Sequence, residues 1–572
     1  MIMRRAFLPT SYREGTEYYK NFKGFDVIFI SGDPYYDHPL NGVSILARLL
    51  DSKGYRVGII PQPIYDEDYQ ACGRAKYFFC ISSGLLDSML ANYTPMLHQR
   101  DDVYVPERAL MVYTQKIKQA YKGCMTILGG VEATIRRFTH FDYRTNKLRC
   151  GILNDTKADI LAFGNADRSL LILLERIKRI NKKKSNKDFD GYREGLDLKS
   201  INGIAYRIKK DEINKRVKKL PSFEECVEDK KKFSLLTKIH YLMPEVAFLE
   251  ACGLGFIQHN RAQHTMQEKE LDYVYELPFT RELHKNTRNY NTAKGMIIRF
   301  KTSVIIGRGC WGSCNFCVIP LVQGKNVAKR SKASILKEIE KLYNDGYSVI
   351  NDLTLPTINM YGSYCSLYNS PEEIYSPVIN EKIKVFNKKE YCDQNCVGCK
   401  NRVISEDLFS ILEGVEEVQR KFKGKELELR SAIRHDIILE QERLFKKIMQ
   451  FAKRLKIAPE HVSESVLKQM NKSDKKSFEK FLKLYRKTTN NKLIPYFIAA
   501  HPGSRMEDME ELRRYCDKNK FYVNLTQVFT PTPGTMSTAI YYTEENPLTN
   551  EKVYVARSFR EKKDQKNVLF SE

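Results

Sequence analysis

The sequence predicts an α/β protein of two tandem units. The first is an amino-terminal doubly wound, Rossmann-like domain over residues 1–176, and the second a partial (β/α)6 barrel over residues 300–545. Three observations carry that expectation. From Phe25 to about Arg176 short β-branched or aromatic runs alternate with segments of helical period, the pattern of parallel strands joined by crossover helices. A second alternating series starts near Ser303. Glycine-bearing turns, Gly32-Asp33-Pro34 and Gly129-Gly130, follow two strands of the first series, at the strand ends where ligands bind in such sheets, although glycines also serve there simply as turns.

In the first unit, strands are expected at 26–30, 56–60, 77–82, 125–128 and 160–163, with a capped helix at 42–50. Residues 177–299 are richer in charge and weaker in periodicity, and read as a connecting region with one short hairpin-like piece at 201–208. In the second unit, strands are expected near 303–307, 348–353, 427–431, 456–458, 493–500 and 522–529, with helices at 334–343, 440–453, 463–470 and 507–517. The chemistry of such a barrel would sit at the carboxyl ends of its strands. A cysteine-rich insertion over 362–402 interrupts the series, and 546–572 reads as a carboxyl-terminal tail.

Hydrophobic residues make up 42% and aromatics 11% of the 572 residues, which excludes wholesale disorder. No run of 18 apolar residues occurs, and no apolar stretch follows Arg4-Arg5, so a cytoplasmic protein without membrane attachment is expected. Lys and Arg number 95 against 70 Asp and Glu, a net charge of +25, which favours weak, non-specific RNA binding. The excess is dispersed lysine. The runs Lys182-Lys183-Lys184 and Lys230-Lys231-Lys232 lack interleaved aromatics and read as solvated faces.

Fourteen cysteines in a reducing compartment argue against disulfides. Cys72, Cys80, Cys124, Cys150, Cys226, Cys252 and Cys516 are scattered and are expected as inert buried thiols. The other seven lie between Cys310 and Cys399. Directly after the first strand of the second unit, Gly307-Arg308-Gly309-Cys310-Trp311-Gly312-Ser313-Cys314-Asn315-Phe316-Cys317 forms a C-x3-C-x2-C loop. Three thiolates at this spacing suit an open [4Fe-4S] cluster with one iron left free. Structural zinc would require a fourth, remote cysteine.

This loop resembles the signature of the radical SAM superfamily, with Phe316 at its aromatic position. The resemblance implies that Cys310, Cys314 and Cys317 hold a [4Fe-4S] cluster, that S-adenosylmethionine (SAM) chelates the free iron, and that Phe316 lies beside the adenine. Longer strings are similar to the YgiQ-type radical SAM family: Ser31 to Pro39, Gly129-Gly130-Val131-Glu132-Ala133, Pro356-Thr357-Ile358-Asn359-Met360-Tyr361, Lys456 to His461, Pro495 to Gly503 and Phe529 to Thr535. The last two also resemble radical SAM methylthiotransferases. Thr354-Leu355 replaces the family's paired glycines ahead of Pro356, in the loop whose carbonyls the resemblance assigns to the methionyl ammonium. Thr354, Leu355, Pro356 and Arg434 are therefore the cofactor-binding candidates beside Phe316, Arg434 for a ribose or carboxylate contact.

Inside the insertion, Cys365, Cys392, Cys396 and Cys399 form a second set of four. The resemblance supports metal binding here, and spacing leaves an auxiliary iron-sulfur cluster and zinc both open. Glu460, His461, His501 and the Arg434-His435-Asp436 string end strands where polar groups often face a site, or else hydrogen-bond their own loops. Asp37-His38 departs from the cobalamin-ligating Asp-x-His-x-x-Gly spacing and is expected not to ligate cobalamin. The reading is a radical SAM enzyme that cleaves SAM to a 5′-deoxyadenosyl radical acting on an unknown substrate, supplied with electrons by a donor such as flavodoxin or ferredoxin. The alternatives are an RNA-modifying enzyme of methylthiotransferase type and a non-catalytic metal-cluster protein that binds RNA.

Overall fold

The computed structural model describes residues 6–183, 195–213, 217–288, 290–388, 392, 395–396, 398–523 and 525–570. Lys184 lies outside the described residues. Lys230 and Lys231 are exposed in the first turn of the helix Lys230–Leu242, which Asp229 caps.

Five strands of the first unit fall where the sequence puts them, within a residue or so: β1 Val27–Ser31, β2 Val57–Pro61, β3 Phe78–Ser82, β4 Thr126–Gly129 and, after a small hairpin of β5 His140–Asp142 and β6 Lys147–Arg149, β7 Ile160–Ala162. All five residues of β1 are buried, as expected for a parallel strand covered on both faces. The helix Gly42–Ser52 buries Val43, Ile45, Leu49 and Leu50 on one face of the sheet. Its start is fixed by Asn41, whose Oδ1 accepts the Val43 and Ser44 N–H groups at 2.9 and 3.2 Å. The helix Ala109–Ala120 covers the other face with Leu110, Tyr113 and Ile117 against Ile28, Ile30 and Phe79.

The segment 177–299 departs from its reading as a connector. It supplies β8 Ile204–Ile208, β9 Lys218–Lys219, β10 Phe248–Cys252 and β11 Gly255–His259, which extend the sheet to nine strands in the order β2-β1-β3-β4-β7-β8-β11-β10-β9. β1 to β7 pair in parallel along that order, whereas β8 lies antiparallel between β7 and β11, so 201–208 is a turn and a strand rather than a hairpin. At this edge of the sheet β9 has two residues, both exposed lysines.

The same extension overturns one cysteine expectation. Cys252, at the end of β10, is brought to 6.4 Å (Cα to Cα) from Cys150, just after β6, and the two form a disulfide. Cys72, Cys80, Cys124, Cys226 and Cys516 are buried free thiols.

The second unit begins with β12 Val304–Ile305 and β13 Gly307–Arg308, which β14 Ala328–Lys329 joins antiparallel. β15 Val349–Ile350 and β16 Leu353–Thr354 follow; β16 pairs in parallel with β12. The insertion holds β17 Tyr364–Cys365, the hairpin of β18 Tyr368–Ser376 and β19 Glu381–Lys388, and β20 Arg402–Val403, which pairs with β17. β21 Glu426–Leu427 pairs in parallel with β15, and a single parallel bridge, Ile433 to Ile457, leads to β22 Arg454–Glu460, β23 Lys492–Ala499 and β24 Thr526–Val528, again parallel. Helices Lys332–Asn344, Asp407–Lys421, Glu442–Phe451, Glu464–Met470, Lys475–Thr488 and Met506–Asn519 lie between the strands; the second and fifth were not anticipated.

The tail is built into the second unit. From the helix Phe559–Asn567, Gln565 accepts the Ala500 N–H at 3.1 Å and donates to Ser504 O at 2.9 Å. Across the two units, Arg308 pairs with Asp167 at 2.9 Å and Asn165 donates to Gln323 O at 3.1 Å. Among the described residues no helix is long and apolar enough to cross a membrane.

Candidate cluster and cofactor site

β13 and β14 turn the cysteine loop back on itself, and two glycines allow it. Gly309 has φ +94, and a Cβ there would lie 2.1 Å from Asn326 O; one on Gly312 would lie 2.8 Å from Arg434 Nη1. The loop is then pinned from three sides. Cys310 N–H donates to Gly324 O, Asn315 N–H to Met470 O, and Ser537 N–H to Asn315 O, at 3.1, 2.9 and 2.9 Å. Asn471 Nδ2 donates to Ser313 O at 2.8 Å.

The thiols face polarising groups. Gly312 N–H points at Cys310 Sγ (3.4 Å), Thr357 Oγ1 lies 3.8 Å from it, and Arg434 Nη1 is 3.4 Å from Cys314 Sγ. Arg434 is itself oriented by Asp436, which accepts from its Nε and Nη2 at 2.9 and 2.6 Å. Without a metal, burial pushes the Cys310 thiol up and the Cys317 thiol up to about 12, and the neighbouring Cys314 adds to both. Among the described residues, no three His, Cys, Asp or Glu side chains converge closely enough to hold a metal ion.

Whether this loop fits a larger prosthetic group is answered by its polar atoms. Trp311 Nε1 and Asn315 Oδ1 in the loop, and Glu460 Oε2 at the end of β22, are buried without a hydrogen-bond partner. Glu460 has φ +68, and its carboxyl is pushed up by burial, against the opposing pull of Lys472 and Arg434, while its charge reaches Cys317. Orphaned buried atoms are costly and call for an explanation. Three around one cysteine loop fit a polar group bound there.

The other expected site residues divide. Phe316 meets His501 edge to face at 6.0 Å. Thr354 and Leu355 do not present an open glycine-like loop: Thr354 O accepts from Ile306 N–H at 3.1 Å, and Leu355 is buried in the core. Both line a cavity with Pro356. The string after it is a latch, since Asn359 exchanges hydrogen bonds with the Arg434 backbone at 2.9 and 3.3 Å. The histidines are engaged by protein groups, His461 within its own loop and His501 and His435 also across to other elements. His461 Nδ1 accepts from Ser463 N–H, His501 bonds Ser537 Oγ and Pro502 O, and His435 bonds Ser473 Oγ. His38 is buried with Nδ1 accepting from Leu40 N–H and Nε2 against Lys301 O and Arg281.

The second cysteine set gathers beside the first. Lys388 Nζ donates to Cys392 Sγ at 2.7 Å, and Asn401 N–H points at Cys399 Sγ at 3.4 Å. Cys365 feels the charges of Cys392 and Cys399, and Cys396 those of Cys392 and Cys365. Burial pushes the Cys396 thiol up, against the opposing pull of Ser313 in the first loop. Lys325, 4.0 Å over the Tyr241 ring, is pushed down to about 8 by burial, against the pull of Cys396 and Cys392.

Residues 7–300 match the Radical SAM N-terminal family, and residues 524–570 match a domain of unknown function, DUF3362. UPF0313 protein MJ1155 of Methanocaldococcus jannaschii is 37% identical over 98% of this chain and 92% of its own length. UPF0313 protein GSU2873 of Geobacter sulfurreducens is 33% identical, covering 99% and 92%. Among solved structures, the radical S-adenosylmethionine methyltransferase TsrM from Kitasatospora setae, with cobalamin and a [4Fe-4S] cluster bound, shares the fold at 10% identity, with a TM-score of 0.51 over 90% of this chain and 74% of that one.

Proposed function

The chain belongs to the UPF0313 family of YgiQ-type radical SAM enzymes, and on that premise we propose that Cys310, Cys314 and Cys317 hold a [4Fe-4S] cluster at which SAM is cleaved for chemistry on a second molecule. When bound, cluster and SAM together supply a one-electron reductive cleavage that yields a 5′-deoxyadenosyl radical. The single observation that carries the reading is the set of orphaned buried atoms, Trp311 Nε1, Asn315 Oδ1 and Glu460 Oε2, around the three-cysteine loop.

The chain's own residues have separable tasks. Gly312 N–H and Arg434 point at the Cys310 and Cys314 sulfurs, where they would stabilise negative charge on cluster-bound sulfur. Glu460 accepts hydrogen bonds from hydroxyl or ammonium groups of SAM, Phe316 offers its ring to the adenine, and the 354–356 segment lies along the methionyl side. The packed loop excludes water from a reactive intermediate, the protein's usual share in cofactor chemistry. In this reading the architecture is a Rossmann-like sheet followed by a partial (β/α)6 barrel, supported by six parallel strand positions in chain order. Cys365, Cys392, Cys396 and Cys399 hold a second metal, and the electron donor is a protein such as flavodoxin or ferredoxin. His38, with both ring nitrogens engaged, is not a cobalamin ligand.

The test is spectroscopic. In anaerobically reconstituted protein, adding SAM should change the electron paramagnetic resonance signal of the reduced cluster, and Cys314→Ala should abolish the SAM-responsive signal. A wild-type cluster signal indifferent to saturating SAM would refute the assignment.

A further inference from the structure

Between the carboxyl ends of the parallel strands and the cysteine-bearing strand lies a cavity of about 450 Å³, within the range of small-molecule sites. Topology sets its place. β1 is flanked by β2 on one side and by β3, β4 and β7 on the other, and in open parallel sheets the crevice at such a reversal of strand order is where ligands bind. Val43 and Leu46 of the helix Gly42–Ser52 form one wall, and Ile305, Ile319, Val322 and Leu355 of the second unit form the facing one. The floor is made of loops that require glycine: Gly84 has φ +105, and a Cβ there would sit 2.2 Å from Asp33 Oδ1, while one on Gly130, at φ +85, would sit 2.6 Å from Ser82 Oγ.

The charges in the lining select the occupant. Arg308 is the one Lys, Arg or His among the lining residues, and Asp167 already engages it at 2.9 Å. The N-terminus of the helix Gly42–Ser52 is spent on its own cap, Asn41. Neither is left to hold a phosphate, and the other helix start in the lining, Gly130–Ile135, is only six residues long. Asp33 accepts the Leu85 N–H at 2.8 Å and enters no ion pair among the described residues. Its carboxyl is pushed up to about 7 by burial, so near neutrality it both donates and accepts. The cavity also adjoins the cysteine loop, because Pro356 lines it and the next residue, Thr357, has Oγ1 3.8 Å from Cys310 Sγ.

We propose that this cavity holds the molecule on which the enzyme acts, a neutral or cationic, mainly hydrocarbon compound with one polar group bonded to Asp33, and that it rejects phosphate-bearing nucleotides. Naming the occupant as the substrate rests on the function proposed above; the existence and selectivity of the site do not.

The probe is 4-aminobenzophenone, a neutral, hydrocarbon-rich, photoreactive N–H donor, irradiated with the anaerobically reconstituted full chain and mapped by mass spectrometry. Label is expected on peptides covering 39–46, 127–131 or 319–323, undiminished by tenfold excess FMN. Ala162→Phe, which fills the cavity from β7, should cut the yield at least fivefold with circular dichroism unchanged. If that variant misfolds, Leu46→Trp fills it from the helix side. Asp33→Leu should weaken labelling by a similar factor. Label confined to other peptides, yields unaffected in folded cavity-filling variants, or displacement by FMN would each overturn the proposal. The combined Cys310, Cys314 and Cys317→Ala variant should label like wild type. Failed labelling with normal SAM cleavage therefore removes the cavity proposal alone, and normal labelling with cleavage surviving in that variant removes the cluster assignment alone.

Discussion

Glu460 shows how a residue escapes sequence reading. Its place at a strand end made it a candidate together with His461 and His501, but only the packing separates them: both histidines bond their own loops, and Glu460 keeps a buried oxygen with no partner. The cysteine loop, by contrast, was legible from spacing alone, since C-x3-C-x2-C is a local pattern. Glu460→Gln should weaken SAM binding about tenfold by isothermal titration, roughly the 1.4 kcal/mol expected for one hydrogen bond to a charged group. Burial raises the folded pKa of this carboxyl, so the group costs stability once pH exceeds its unfolded value. The same substitution should therefore raise the melting temperature at pH 8 and leave it nearly unchanged at pH 4. Asp33 obeys the same sign over a window its values define, from 3.8 unfolded to about 7 folded. Wild-type stability should fall as pH rises through that window, because the native state binds more protons there. Asp33→Asn should flatten the profile in thermal melts, and an unchanged slope would contradict the burial of the carboxyl.

Elements were read well where their signal was local and poorly where it was not. Buried parallel strands such as β1 and β3 announce themselves as unbroken apolar runs, and the capped helix Gly42–Ser52 by its periodicity and Asn41. The strands of 177–299 carry no such run, and their place in the nine-stranded sheet depends on pairing with residues far along the chain. The Cys150–Cys252 disulfide, spanning 102 residues, was hidden for the same reason. The insertion and the tail can be tested as elements. In the combined Cys310, Cys314 and Cys317→Ala variant purified anaerobically, iron or zinc should remain at about one site's worth, and it should vanish when Cys392, Cys396 and Cys399 are also replaced. A first variant already free of both metals would exclude the second site. Gln565→Ala should destabilise the protein by about 1–3 kcal/mol in urea unfolding, because it leaves the buried Ala500 N–H without its acceptor.

Across the whole molecule, the nine-stranded sheet and the strands of the second unit together frame the cysteine loop. The Arg308–Asp167 pair and the Asn165–Gln323 bond press the carboxyl edge of the first sheet against the strand that carries the cysteines, and the tail helix braces the end of β23 through Ala500 and Ser504. The alternating strand and helix signals foretold an α/β fold with a large parallel sheet; they did not disclose the cavity beside it, because that depends on which faces meet. We propose that this frame holds a cluster at Cys310, Cys314 and Cys317 for SAM cleavage. Its most direct test is 5′-deoxyadenosine formation from SAM and dithionite, quantified by mass spectrometry for reconstituted wild type and for the combined Cys310, Cys314 and Cys317→Ala variant. Turnover by wild type and none by the variant is the predicted result, and 5′-deoxyadenosine formation at the wild-type rate by the variant would contradict it.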